Sequence, residues 1–180
     1  SVGLYGEFHV SKTAAGDANT ILVLGGANTY AGVTTVQGGV LQVGYSARGS
    51  IVSDVAVDSG AWLSFGRSDA STYGGSVTGA GGLDKFNAGT LTLTGDIAHT
   101  GGTTIEGGTL QVGAGGTTGS LSGGVLNNAN IAFNRSDAAT FSGAISGAVT
   151  LTKLGANTLT LTGSNAVQGG TIIASGTLQL

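Results

Sequence analysis

The feature that most constrains the fold is an internal repeat of 68 or 69 residues. The segment GGTTIEGGTLQVG at 101–113 has near-copies in VTTVQGGVLQVG at 33–44 and GGTIIASGTLQL at 169–180. A second pair, FGRSDASTY at 65–73 and FNRSDAATF at 133–141, recurs at the same spacing. The chain is therefore about two and a half copies of one unit, and a single architecture must accept every copy.

Apolar and polar residues alternate within each unit. Leu91 and Leu93 are separated by threonine, and Leu110 and Val112 follow the same pattern after Thr109. A period of two predicts β-strands with one buried face, and no window shows the spacing of an amphipathic helix. Each run ends at Gly, Asn or Asp, so the strands should be short and the turns tight.

The length of the repeat favours a solenoid. A propeller blade takes about 40 to 50 residues, whereas this unit divides into three coils of about 23 residues each. We predict an all-β fold, a parallel β-helix of about eight coils, with Leu, Val and Ile pointing inward and Thr, Gln and Ser pointing outward. Gly107 and Gly108 should let the backbone turn between two sheets where a Cβ would clash.

We predict one solenoid over the whole chain, with the following organisation: 1–19 as a divergent first coil, 20–86 as repeat 1, 87–154 as repeat 2 and 155–180 as a partial repeat 3.

Composition excludes several classes of protein. Charged residues make up 8% of the chain and the net charge is -3, so a basic surface for nucleic acid is not expected. The chain has no Cys, which excludes disulfides and thiolate metal sites. Gly accounts for 36 residues and Pro for none. Regularly placed Leu, Val and Ile distinguish this glycine content from that of a disordered linker.

The repeated residues resemble the autotransporter-associated β-strand repeat, also called the passenger-associated transport repeat. GANTYAGVTTVQGGVLQV at 26–43 carries the N-T-Y-x-G-x-T-T-V element, and LTLTG at 91–95 and 159–163 carries the L-T-L-T-G element. His99 and Val167 stand where the family often has Tyr. The resemblance covers about residues 20 to 180.

This resemblance implies a type V secreted protein of a Gram-negative bacterium, located at the cell surface. Such passengers are usually right-handed parallel β-helices, and their partner is a C-terminal outer-membrane β-barrel of the same parent chain. The repeat would form a structural stem that assists translocation, with any active module elsewhere in the parent. The alternative is an adhesin or self-association surface for a host glycan or protein, and an enzyme is a third hypothesis.

No catalytic, cofactor-binding or metal-binding residue is predicted, nor is a small-molecule substrate. His9 and His99 lie far apart in the sequence, and the chain has no G-x-S-x-G nucleophile elbow. Each histidine should therefore be a half-exposed turn residue. Outward threonines such as Thr92 and Thr94 recur once per repeat, too rarely for an ice-binding plane.

The strongest polar signal is the triplet Arg-Ser-Asp at 67–69 and 135–137. Because it recurs with the scaffold period, we expect it to be structural, with Asp capping a turn and Arg lying over the coil. Lys85 and Lys153 should project from turns. Two sets of aromatics are repeat equivalents, Phe65 and Phe133, and Tyr73 and Phe141, so these residues should be stacked core aromatics, whereas Trp62 has no aromatic equivalent.

Overall fold

The computed structural model describes residues 10–12, 20–148 and 150–180, with side chains from residue 20 onward. These residues form 25 short strands and no helix. In chain order the strands are β1 (Val10–Lys12), β2 (Ile21–Leu24), β3 (Ala27–Asn28), β4 (Thr34–Val36), β5 (Val40–Ser46), β6 (Ser50–Ile51), β7 (Val55–Val57), β8 (Trp62–Arg67), β9 (Ser71–Tyr73), β10 (Val77–Gly79), β11 (Gly82–Lys85), β12 (Thr90–Leu93), β13 (Asp96–Ile97), β14 (Thr103–Ile105), β15 (Thr109–Val112), β16 (Ser120–Leu121), β17 (Val125–Asn127), β18 (Asn130–Phe133), β19 (Ala139–Phe141), β20 (Ile145–Gly147), β21 (Leu151–Lys153), β22 (Thr158–Leu161), β23 (Ala166–Val167), β24 (Thr171–Ile173) and β25 (Thr177–Gln179).

The strands wind into a parallel solenoid with three faces. Face 1 is one sheet with the order β2-β5-β8-β11-β14-β17-β20-β23. Face 2 holds β3-β6 and then β9-β12-β15-β18-β21-β24, and face 3 holds β1-β4-β7-β10-β13-β16 and then β19-β22-β25. Each strand pairs in parallel with the strand three places earlier or later in the chain, so three strands complete one coil. The predicted parallel β-solenoid of about eight coils is confirmed.

The repeat spans more than three coils. Paired residues on successive coils lie 19 residues apart at the closest, as in Leu22 and Leu41, and 24 at the most, as in Val10 and Thr34. Equivalent strands in successive repeats are β5, β15 and β25, which are ten strands apart. Ten strands are one more than three coils hold. Repeat equivalents therefore move to the next face with each repeat, so the copies do not stack directly on one another.

Stacked aliphatic side chains form the interior. On face 1 Leu41, Leu63 and Leu83 occupy paired inward positions, and all three are fully buried. On face 2 Leu91 and Leu110 form the corresponding stack. Burial contributes about 25 cal/mol per Å² of apolar area. Each coil therefore depends on its neighbours to cover the apolar side of its strands.

Glycine at one corner lets adjacent coils approach closely. Gly108, between β14 on face 1 and β15 on face 2, has φ +66, and a Cβ there would lie 2.2 Å from the Gly89 carbonyl oxygen of the coil below. Its equivalents Gly39 and Gly176 have φ 65 and 71. The predicted role of this glycine is confirmed, because a side chain would be both strained and obstructed.

The ladder is interrupted once in each full repeat. On face 2 the pairing stops between β6 and β9, and on face 3 it stops between β16 and β19. These two ladder breaks are repeat equivalents displaced by one face, which is why three faces contain five sheets.

The ends of the chain qualify two predictions. Leu110 is buried, as the inward leucine pattern predicts, but its repeat equivalent Leu178 is only partly buried because it lies in the last coil that the structure describes. The divergent first coil predicted for residues 1–19 lies outside the described residues, except for β1. Within the described residues, no helix has the length and apolar character to cross a membrane.

Candidate functional site

An arginine–aspartate clip lies at each ladder break. Arg135 forms a bidentate pair with Asp137, through Nε at 2.8 Å and Nη2 at 2.7 Å, and Asp137 consequently has a lowered pKa. The same guanidinium donates to the carbonyl oxygens of Gly119 at 2.5 Å and Thr117 at 2.6 Å. Arg135 thus supplies hydrogen bonds to the coil below where the strand ladder does not.

The first break has a weaker version of this clip. Arg67 pairs with Asp69 at 2.7 Å and donates to the Gly49 carbonyl oxygen at 3.1 Å. Hydrogen bonding from Arg67 lowers the pKa of Asp69, and a bond to its own backbone amide contributes to the same shift. The structural role predicted for the triplet fits this geometry, but the carbonyl partners of the arginines on the neighbouring coil were not foreseen.

The two breaks differ in how tightly they close. At the first break the Tyr73 hydroxyl donates to the Ser53 carbonyl oxygen at 2.9 Å, and the cavity beside it is about 20 Å³. At the second break Phe141 occupies the equivalent place and has no hydroxyl, and the cavity is about 230 Å³. Tyr73 is buried, which raises the pKa of its hydroxyl.

Two lysines lie in the interior, so their predicted projection from turns is wrong. Lys85 is 1% exposed and pairs in register with Phe65 below and Ile105 above. Its Nζ donates to the carbonyl oxygens of Phe86, Asn87 and Gly107 at 2.8, 2.8 and 3.0 Å. Burial lowers the pKa of Lys85, and the three acceptors explain why its charged form is tolerated.

Lys153 occupies the equivalent position on face 2. It is 3% exposed, and its Nζ donates to the carbonyl oxygens of Gly155 and Ser175. Burial lowers its pKa as well. Both lysines therefore hold a corner of the coil from inside, where the turn leaves carbonyl groups without ladder partners.

His99 is fully buried, which corrects the expected half-exposed turn residue. Its Nε2 lies 2.9 Å from the Gly102 carbonyl oxygen and 3.2 Å from Thr103 Oγ1. Since a carbonyl only accepts, Nε2 carries the hydrogen and Nδ1 is the unprotonated nitrogen. Nδ1 is buried without a hydrogen-bond partner, and burial lowers the pKa of the ring. His9 lies outside the described residues.

The repeated aromatics are core residues, as predicted. The ring centroids of Phe65 and Tyr73 are 5.2 Å apart, and those of Phe133 and Phe141 are 5.6 Å apart. All four side chains are buried. Each tilted pair packs beside a ladder break and supplies apolar contact where backbone pairing stops.

Trp62 differs from the other aromatics because it lies on the outer surface. It is 37% exposed and borders a groove of about 330 Å³ on face 1. Trp62 pairs with Gly82 on the next coil, where a Cβ would lie 2.5 Å from Cζ3 of the indole. The ring therefore rests on a glycine, and any larger residue at position 82 would displace it.

Two carboxylates form the acidic part of this groove. Asp84 Oδ2 accepts a hydrogen bond from Ser64 Oγ at 2.8 Å, while Oδ1 is buried without a partner. Glu106 Oε1 lies 3.4 Å from Asn128 Nδ2. Burial is the main cause that raises the pKa of Asp84, and the nearby charge of Glu106 adds to it. The groove-lining residues are Val40, Trp62, Ser64, Asp84, Thr104 and Glu106, which we call the face-1 groove.

Sequence reasoning identified Trp62 as a residue without an aromatic equivalent but did not identify its acidic neighbours. Asp84 and Glu106 lie 22 and 44 residues along the chain from Trp62. They share a surface with it only because strands β8, β11 and β14 are adjacent on face 1. The alternation Leu83-Asp84-Lys85 was the available signal, since it places Asp84 outward and Lys85 inward.

Comparison with known proteins agrees with this architecture. The model of the passenger-associated-transport-repeat family matches residues 19–43, 83–112 and 151–180. The last two ranges contain β11–β15 and β21–β25, which are equivalent five-strand stretches. No solved structure matches the chain.

A longer relative extends the match across most of the sequence. The chain is 40% identical over 171 residues to the adhesin BmaC autotransporter of Brucella suis biovar 1 (strain 1330). The match covers 83% of this chain and 5% of the length of that adhesin. Three stretches of the chain are therefore passenger-associated transport repeats, the repeats of autotransporter passengers, which are exported through the outer membrane to the bacterial cell surface.

Proposed function

We propose that the chain is a structural stem that assists translocation of a passenger by folding coil by coil outside the cell. The observation that carries the proposal is the pairing pattern, in which each strand bonds only to strands three places away in the chain. A newly exported coil of about 20 residues therefore finds its whole ladder partner on the coil already folded.

The energetics favour growth in one direction. An exported coil covers the aliphatic stack of the preceding one, and apolar burial contributes about 25 cal/mol per Å². Folding of each coil opposes its return through the membrane. The resemblance to autotransporters supports a partner in the same parent chain, an outer-membrane translocation domain. The stem itself is expected to perform no catalysis, in keeping with its similarity to a protein named an adhesin.

The test is excision of one whole repeat, residues 87–154, from the autotransporter that carries this chain. The cut joins Phe86 to Gly155, so β11 is followed by β22, the repeat equivalent of β12. The rod should shorten by about 16 Å at roughly 4.8 Å per coil, and the downstream coils should turn by one face. We expect less passenger at the cell surface, measured with antibody, and unchanged activity per exported molecule.

A matched pair of substitutions separates coil stacking from length. Leu110→Asp places an unpaired charge in the interior and should lower surface display more than the excision does. Thr109→Asp, on the outer side of the same strand, should leave display near wild type. Surface display that is undiminished by both the excision and Leu110→Asp would contradict the stem hypothesis.

A further inference from the structure

We propose that the face-1 groove binds an arginine side chain presented by a protein partner. This proposal concerns the lateral surface of the solenoid and does not depend on the stem function. It starts from a difference between the repeats, because the residues that build the groove are absent from the equivalent positions one repeat later.

The scaffold does not require the groove residues. Trp62, Ser64, Asp84 and Glu106 correspond to Asn130, Ala132, Thr152 and Ala174 in the next repeat, and Gly82 beneath the indole corresponds to Thr150. The equivalent strands β18 and β21 still pair in register. By contrast, the inward residues of the same strands are kept as Phe65 and Phe133, and as Lys85 and Lys153. The groove residues therefore serve something other than the ladder.

The face-1 groove is acidic and therefore favours a cationic ligand. None of its lining residues is basic, and neither Asp84 nor Glu106 takes part in the ion pairs found among the described residues. Lys85 lies on the opposite side of the sheet, where its ammonium group is occupied by three carbonyl oxygens. The buried Oδ1 of Asp84 has no donor, and a buried acceptor of this kind is normally satisfied by a partner.

The shape of the groove favours guanidinium over ammonium. An exposed indole face attracts cations, and a planar guanidinium can stack on it while its N–H groups form a fork toward a carboxylate. Trp62 on β8, Asp84 on β11 and the Glu106 that follows β14 stand on successive coils. An arginine lying over the indole would therefore have both carboxylates within the same groove.

The single tryptophan of the chain makes the test direct, because its fluorescence reports only on this groove. The probe is an acetylated, amidated pentapeptide with two arginines, titrated at low salt. Its counterparts carry lysine or citrulline, and citrulline is the neutral analogue of arginine. We expect a saturable change in Trp62 emission, with affinity about tenfold weaker for citrulline and intermediate for lysine. Added salt should weaken binding.

Variants taken from the next repeat keep the fold comparable. Asp84→Thr with Glu106→Ala retains the fluorescent reporter and should lower affinity for the arginine peptide about tenfold or more. Asp58→Asn removes an exposed acid outside the groove and should leave affinity unchanged. Trp62→Asn, followed by calorimetry, should also abolish measurable binding. Circular dichroism melting verifies that each variant is folded.

Three results would overturn the proposal. The first is an emission change of the same size with the citrulline peptide. The second is undiminished affinity in the folded Asp84→Thr, Glu106→Ala variant. The third is no change in Trp62 emission with the arginine peptide together with a change on adding a neutral oligosaccharide, which would assign the groove to a glycan.

Discussion

The first and second repeats share an interior but not an exterior. Both keep an aromatic pair, an inward lysine and an arginine clip at the ladder break. They differ on the outward-facing side of the strands, where Trp62 is replaced by Asn130, and at the ladder break, where Tyr73 is replaced by Phe141. The comparison separates residues that coil stacking demands from residues that remain free to vary. Swapping residues between repeats tests that separation.

Replacing the inward lysines should cause the largest loss in the free energy of unfolding. Lys85→Ala leaves three carbonyl oxygens without their donor, and we expect a loss of about 2–4 kcal/mol in the free energy of unfolding. Lys153→Ala removes a donor from two carbonyl oxygens and should have a smaller effect. Denaturant unfolding followed by circular dichroism measures both. Equal stability of Lys85→Ala and wild type would mean that the ammonium group does not hold the corner.

The stability that each arginine clip contributes should follow the number of carbonyl oxygens to which its arginine donates. Arg135 donates to two carbonyl oxygens across the break and Arg67 to one. We expect Arg135→Ala to lose about 2 kcal/mol and Arg67→Ala about 1 kcal/mol, measured by the same unfolding assay. Equal losses would show that the aspartate pairing, common to both clips, dominates their contribution, and a larger loss for Arg67→Ala would contradict the ranking.

A reciprocal exchange at the breaks tests the role of one hydroxyl group. Tyr73→Phe should destabilise the chain by about 1 kcal/mol, because the Ser53 carbonyl loses its donor. Phe141→Tyr places a hydroxyl group near the Gly123 carbonyl oxygen. A Cβ added to Gly143 would contact both that oxygen and Phe141 Cζ, so these two atoms lie close to each other. It should stabilise by a similar amount. Thermal melting that changes in the same direction for both variants would contradict the equivalence of the two breaks.

His99 should give the smallest effect, visible only as a dependence on pH. Its folded pKa lies below the unfolded value of about 6.5. The fold therefore favours the neutral ring, and stability is complete above that pH and falls as the pH drops below it. Tyr30 occupies the equivalent corner and bonds Thr34 Oγ1 at 2.8 Å. His99→Tyr should lose less stability than wild type between pH 7.5 and 5.5, and an identical loss would contradict burial of a titrating ring.

Period-two alternation predicted the strands and the inward leucines, and the length of the repeat predicted the solenoid. Leu91, Leu93 and Leu110 were placed correctly because apolar burial dominates their behaviour. Gly108 was placed correctly because only glycine combines positive φ with such close contact. These features follow from local sequence.

The buried polar residues could not be placed in the same way. The alternation at Leu83 and Lys85 points both side chains inward, but a lysine is expected outside unless its acceptors are known. Those acceptors come partly from Gly107 on the next coil. Coil length was equally hidden, because it depends on how many residues each corner uses. Without it, neither the groove beside Trp62 nor the ladder breaks could be assembled from the sequence.

The central claim is that each coil has three strands whereas each sequence repeat has ten strands. Equivalent residues of successive repeats therefore lie on adjacent faces of the solenoid. The chain has no Cys, so nitroxide labels can be placed cleanly in pairs at Gln42 and Thr104, or at Gln42 and Gln111. Gln42 and Thr104 stand in one row on face 1, three coils apart, at about 14 Å between backbones. Gln111 is the repeat equivalent of Gln42 but lies on face 2. Pulsed electron spin resonance should give the shorter distance for the pair at 42 and 104, and a shorter distance for the pair at 42 and 111 would contradict the account.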